Sequence, residues 1–178
     1  MGRPCIKIIT MKKSLLILMA MMMVVPSFAQ KMTKAEKEAA AKLAYEAALE
    51  SINNKTWVIV PDTYATSDGD FETNIDNSNF LSCENGDCFS QGSIVCDNGY
   101  TNVSTPSEYE MTTDKKGNIT LRVVVNGNYW KGTYKISIRN NGNKADVIFN
   151  PVKGTTRRFS GPLVPLAGAS YNKRANPK

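Results

Sequence analysis

Residues 119–149 read ITLRVVVNGNYWKGTYKISIRNNGNKADVIF. Two Asn-Gly dipeptides, Asn126-Gly127 and Asn141-Gly142, divide this stretch into three runs in which apolar and polar residues alternate. Asn-Gly suits the two-residue type I′ hairpin, because both central residues need a positive φ. A two-residue turn at Asn126-Gly127 sets Val125 against Asn128, Val123 against Trp130, Leu121 against Gly132 and Ile119 against Tyr134. A two-residue turn at Asn141-Gly142 sets Ile138 against Ala145, Ile136 against Val147 and Tyr134 against Phe149. Both turns put the even positions from Trp130 to Ile138 on one face, and Lys131, Thr133, Lys135, Ser137 and Arg139 on the other. A one-residue slip would carry every apolar group into water. Two independent turns that agree therefore predict an antiparallel sheet buried on one face and wet on the other.

The same grammar extends on both sides. Asn85-Gly86 and Asn98-Gly99 are further Asn-Gly pairs, and Asp68-Gly69, Lys116-Gly117 and Lys153-Gly154 add breaks. Nine stretches read as strand, near 55–65, 71–75, 79–84, 87–96, 108–114, 118–125, 128–140, 143–150 and 155–160, and the turns between them give an up-and-down meander of roughly eight strands. A meander of that size closes into a barrel or folds over as a clasped sheet. The expected fold is mainly β (α+β), a small antiparallel barrel over residues 55–163 with an N-terminal helix packed on it. Pro162 to Lys178 carries three prolines and no period, and the flexible tail is placed at 164–178.

Residues 30–54 hold the helix. Thr33-Lys34-Ala35-Glu36 fits a capping box. Ala, Lys and Glu dominate the stretch that follows, and all favour helix. Ala35, Ala39, Leu43 and Ala47 recur every four residues, Glu38 with Lys42 is a favourable i,i+4 pair, and Asn53-Asn54 suits a left-handed end. Such a helix would lie on a sheet or plug the end of a barrel.

Ahead of it lies a leader. Lys12-Lys13, the apolar run Leu15 to Val25, and Ser27-Phe28-Ala29 are the charged, apolar and small-x-small parts of a signal peptide spanning 1–29. Residues 1–10 read as an upstream extension before Met11-Lys12-Lys13, and cleavage is expected after Ala29. The run is too short to cross a bilayer, since eleven residues of helix reach only ~16 Å. The expected location is the periplasm or the exterior, with no stable membrane span once the leader is gone. The chain has 22 basic and 16 acidic residues, a balance of +6. Arg3, Lys7, Lys12 and Lys13 leave with the leader, so Gln30 to Lys178 carries only +2. That is no footprint for nucleic acid. Arg157-Arg158, Lys173 and Arg174 read as solvated surface.

Cys83, Cys88 and Cys96 follow the leader. A two-residue turn at Asn85-Gly86 sets Cys83 directly opposite Cys88, with Cα atoms ~4.5 Å apart, at the short end of what a disulfide accepts. In an oxidising compartment the two form a candidate disulfide. Cys96 is then left over, as a small buried residue or as an intermolecular bridge. The spacing lacks the close pairs of a zinc site.

Chemistry is scarce. There is no histidine, which removes Ser-His-Asp and Cys-His mechanisms. No Gly-rich phosphate loop or dinucleotide motif occurs, and no cofactor is expected. Asp68-Gly69-Asp70-Phe71-Glu72 alternates acids without matching a calcium loop, and reads as an acidic turn. Trp57, Trp130, Tyr134 and Phe149 are assigned to the core, whereas Tyr64, Tyr100, Tyr109 and Tyr129 are candidates for a ligand mouth or a sugar-binding surface.

The run Trp57-Val58-Ile59-Val60, then Asn79-Phe80-Leu81, a Tyr-rich meander and Arg158-Phe159-Ser160-Gly161-Pro162-Leu163 resembles an uncharacterised secreted family of Bacteroides-type bacteria, domain of unknown function 4251. The likeness covers most of residues 33–165, and Ser90-Gln91-Gly92-Ser93 with the cysteines stands where the family is usually rich in Pro and Tyr. It implies an envelope protein with a lipocalin-like β fold and transfers no site residues. The favoured expectation is a non-enzymatic structural or protein-interaction module of the cell envelope. Lipocalin-like binding of a small apolar or amphipathic ligand is the alternative, and a glycan-acting enzyme using paired carboxylates is a third.

Overall fold

Among the described residues eleven strands follow one Ala-rich helix, and the alternation of buried and accessible residues is clearest over 119–151. The computed structural model describes residues 32–128 and 130–175. The helix, α1, spans Lys34–Asn53. The strands are β1 (Thr56–Ile59), β2 (Thr63–Ala65), β3 (Phe71–Thr73), β4 (Phe80–Glu84), β5 (Asp87–Gly92), β6 (Asn98–Ser104), β7 (Glu108–Thr113), β8 (Ile119–Asn126), β9 (Lys131–Ile138), β10 (Lys144–Pro151) and β11 (Arg157–Pro165). Every pairing is antiparallel, in the order β6-β5-β4-β1-β11-β10-β9-β8-β7, with the β2–β3 hairpin branching from β11. The result is a curled half-barrel sheet, the mainly β, barrel-like architecture expected from the pattern. It carries more strands than the eight counted, and no ladder joins the end strands β6 and β7 among the described residues.

Three differences from expectation have local causes. The run expected at 55–65 is two strands. Pro61 cannot donate to a ladder, so β1 ends before it and the chain re-pairs two residues later. The segment around Asn98-Gly99 opens β6 instead of forming a hairpin turn. The left-handed residue there is Asp97, at φ 62°. The segment expected to fray after β11 is tied down instead. Tyr171 packs against Phe80 with ring centroids 4.8 Å apart, and the Arg174 carbonyl accepts from the Thr101 amide at 2.9 Å.

The decisive stretch behaves as follows. Ile138, Ile136 and Tyr134 face Ala145, Val147 and Phe149, the predicted register. Across β8–β9, however, Val123 faces Tyr134 and Leu121 faces Ile136, four residues from the expected pairs. The connection is Gly127 to Trp130, closed by the Gly127 amide on the Trp130 carbonyl at 2.9 Å. Trp130 leaves the ladder because its indole is buried, donating from Nε1 to the Tyr134 hydroxyl at 2.8 Å. An even displacement preserves the faces, so the predicted inward set stays inward.

That inward set fills the interior. Trp57, Ile59, Leu81, Leu121, Trp130, Tyr134, Ile136, Phe149, Phe159 and Leu163 belong to one buried cluster. Tyr134 stacks on Phe149 at 4.2 Å between centroids, and its hydroxyl donates to the Val95 carbonyl at 3.1 Å. Gly132 lets this stack close: a Cβ there would lie 2.4 Å from the Asn150 carbonyl oxygen and 2.7 Å from the Phe149 ring.

The helix packs through a stripe other than the expected one. Ala48, Ser51 and Ile52 are buried, whereas Ala35 and Ala39 are exposed and Leu43 is 66% exposed. Polar bonds with β7 and with the turn that follows it accompany this rotation. The Tyr45 hydroxyl donates to the Gly117 carbonyl at 2.6 Å, and the Tyr109 hydroxyl to that of Ile52 at 2.8 Å. Glu38 pairs with Lys34, not Lys42, and the left-handed residue that ends the helix is Lys55, at φ 54°.

Candidate functional site

Acidic and polar residues at the β2–β3 end of the sheet form turns that frame a cleft. The β2–β3 turn is closed by the Thr66 amide on the Asp70 carbonyl at 2.8 Å. On the far side, residues 152–156 connect β10 to β11, where the Thr156 hydroxyl donates to Asn150 Oδ1 at 3.1 Å. The segment after β5 completes the frame: the Arg157 guanidinium donates to the Ser93 carbonyl and pairs with Asp97 at 3.0 Å. Between them is a half-open cleft of about 910 Å³, at the upper end of the range for small-molecule sites.

The lining is chemically one-sided. It includes the hydroxyls of Thr66, Ser67, Ser93, Thr155 and Thr156, the Asn150 amide, the rings of Tyr64 and Phe71, and both Arg157 and Arg158, but no carboxylate. Phe71 is 70% exposed. Arg157 is neutralised by Asp97. The two arginines read from sequence as plain surface are therefore its charged groups. The doublet gave no pattern to single them out, because their place depends on the register of β10 against β11.

The candidate tyrosines do not converge. Tyr64 lines the cleft and donates to Glu72 Oε2 at 2.5 Å; this bond to a carboxylate raises its pKa. Tyr109 is packed under the helix, accepting from Trp57 Nε1 at 2.8 Å, and burial raises its pKa. Tyr100 is 43% exposed on β6. Tyr129 lies outside the described residues, as do the leader and its cleavage site.

Cys83 does face Cys88, as the turn predicts. Both are buried free thiols, which corrects the expected disulfide. Side chains directly opposite across a ladder leave their Cα atoms at the short end of disulfide geometry. Here a thiol hydrogen bond joins them: it holds the Cys83 thiol low and, with burial, pushes that of Cys88 up. Cys96 is a free thiol too, pushed up by burial.

The perturbed carboxylates are structural. Hydrogen bonds from Ser78 lower Asp76, and bonds from Asn118 lower Asp114. Burial alone would raise Glu84, but bonds from Lys173, Ser82 and Tyr171 outweigh it and hold the carboxyl below its usual value. Among the described residues no three His, Cys, Asp or Glu gather as metal ligands, and no helix is long and apolar enough to cross a membrane.

No family model matches the chain, and no curated protein is similar to it. Its fold is similar to the crystal structure of a DUF4251 family protein from Bacteroides eggerthii, with a TM-score of 0.64 and 24% identity over 75% of this chain and 99% of that one. The likeness is one of fold, and it agrees with the family resemblance carried by the hydrophobic motifs.

Proposed function

We propose that this chain is a non-enzymatic protein exported to the cell envelope, a structural or interaction module that meets its partner through its outer surface. The observation that carries the reading is the filled interior: Trp57, Trp130, Tyr134, Phe149 and Phe159 occupy the space in which a lipocalin-like barrel would hold its ligand. Export rests on the leader's charged, apolar and small-x-small pattern. A non-enzymatic role is supported by the shifted carboxylates Asp76, Glu84 and Asp114, which are all lowered, whereas a general acid near neutral pH needs a raised one. A second reading, a small amphipathic ligand, is favoured by the cleft's mixture of rings and guanidinium groups.

Native mass spectrometry of the protein purified from its own cells tests both parts. The expected species starts at Gln30 and retains no apolar molecule. An apolar molecule released on denaturation would overturn the filled-interior reading, and a chain still carrying residues 1–29 would overturn export.

A further inference from the structure

The cleft opens onto a row of cations that the ladder registers set across the outer face. Arg158 faces Ile148, Ile148 faces Lys135, Lys135 faces Arg122 and Arg122 faces Glu110. On the other flank, Tyr64 faces Phe159, so Ala65 falls opposite Arg158, and Ala65 faces Phe71. Adjacent strands lie about 4.8 Å apart. The row thus runs, on one face, from an exposed ring through one cation to two more, about 10 Å and about 15 Å away.

Two features set this row apart from an ordinary solvated face. Lys135 and Arg122 are directly opposite, an arrangement of like charges that destabilises a sheet. Only Arg122 is compensated, by Glu108, while the side chains of Lys135 and Arg158 make no ion pair or hydrogen bond among the described residues. On the cleft side the neighbouring positions are donors, with Asn150 facing Thr133. The one acid on β10, Asp146, lies two residues from Ile148 on the other side and accepts from the Ser160 hydroxyl at 2.8 Å. Unpaired cations, hydroxyls, an amide and an exposed ring are the complement of a ligand with several anionic groups on a hydroxylated body.

We propose that the cleft and this outer row bind an acidic oligosaccharide, with carboxylates on Arg158 and Lys135 and a sugar ring against Phe71. This rests on the outer-surface reading and names the partner's chemistry. A lipid surface fits less well, because the row carries only Phe71 and Ile148 as apolar anchors. Nucleic acid fits less well too, because one exposed ring is no stacking platform.

The test is calorimetric titration of the protein with an oligogalacturonate, with its methyl ester, with single-stranded DNA and with anionic phosphatidylglycerol vesicles. The oligogalacturonate binds, the ester binds at least about tenfold more weakly, as loss of a charge-assisted bond requires, and DNA and vesicles do not compete. Arg158→Gln and Lys135→Gln each weaken the oligogalacturonate about tenfold or more with unchanged melting. Phe71→Ala weakens it too. Equal binding of acid and ester, equal binding of DNA or vesicles, or variants that bind as the parent does would each overturn the proposal. A protein that ignores every saccharide yet still meets an envelope partner through this face would sink the ligand class and leave the outer-surface reading standing.

Discussion

Gly132 shows what one atom decides here. Its Cβ position is occupied by the Asn150 carbonyl and the Phe149 ring. Gly132→Ala should therefore cost about 1–3 kcal/mol, as overpacking does, read by urea unfolding; an unchanged midpoint would mean that β9 and β10 are not so closely apposed. Tyr134→Phe removes the acceptor for the Trp130 indole and the donor to Val95. Leaving the indole N–H buried and unpaired should cost about 1–3 kcal/mol in the same assay. Both residues could be assigned to the inner face from alternation alone. The β10 partner of Tyr134, Phe149, could be read as well. The β8 partners could not, because Trp130 leaves the strand to bury its indole and no local signal marks the longer connection that results.

Elements differ in how far local sequence determines them. The Asn85-Gly86 hairpin has its predicted register because a two-residue turn, with Asn85 at φ 53° and Gly86 at φ 97°, fixes the pairing. β9 and β10 also keep the predicted register, although residues 139–143 connect them and only Gly142 of the Asn141-Gly142 pair has a positive φ. The helix was legible in extent but not in rotation, because alanine on several faces leaves the contact stripe to Tyr45 and Ile52. Ala48→Leu should therefore destabilise by about 1–3 kcal/mol, whereas Leu43→Lys should change stability by no more than about 0.5 kcal/mol; the reverse order would restore the Ala35–Ala47 stripe. The terminal segment was not legible at all. Its anchor is the buried Gln91, which donates to the Asn172 carbonyl at 2.8 Å and accepts from the Arg174 amide at 2.7 Å. The second anchor, Glu84, has a depressed pKa, so the stability it contributes is present above its unfolded value of about 4.3 and is lost as pH falls through the lower folded value. The native protein should lose stability below about pH 4 more steeply than Glu84→Gln, and parallel acid profiles for the two would contradict that role.

At the scale of the whole molecule, β1 enters between β4 and β11 and joins two meanders into one half-barrel. That insertion pairs segments more than a hundred residues apart, beyond the reach of any turn rule. It also bears on function, because the short β1 hands the edge of β11 on to β2, and the β2–β3 hairpin then walls the cleft. The cleft's arginines were visible as residues but not as a site, since only the long-range pairing brings them beside Tyr64 and Phe71. The central claim, a filled interior with recognition on the outside, is tested most directly by placing a photo-crosslinking residue at Thr155, on the cleft, and separately at Leu43, on the exposed helix face, in the protein's own cells. The account predicts a specific adduct from Thr155 and none from Leu43. An adduct from Leu43 alone would contradict it and move the functional surface to the helix.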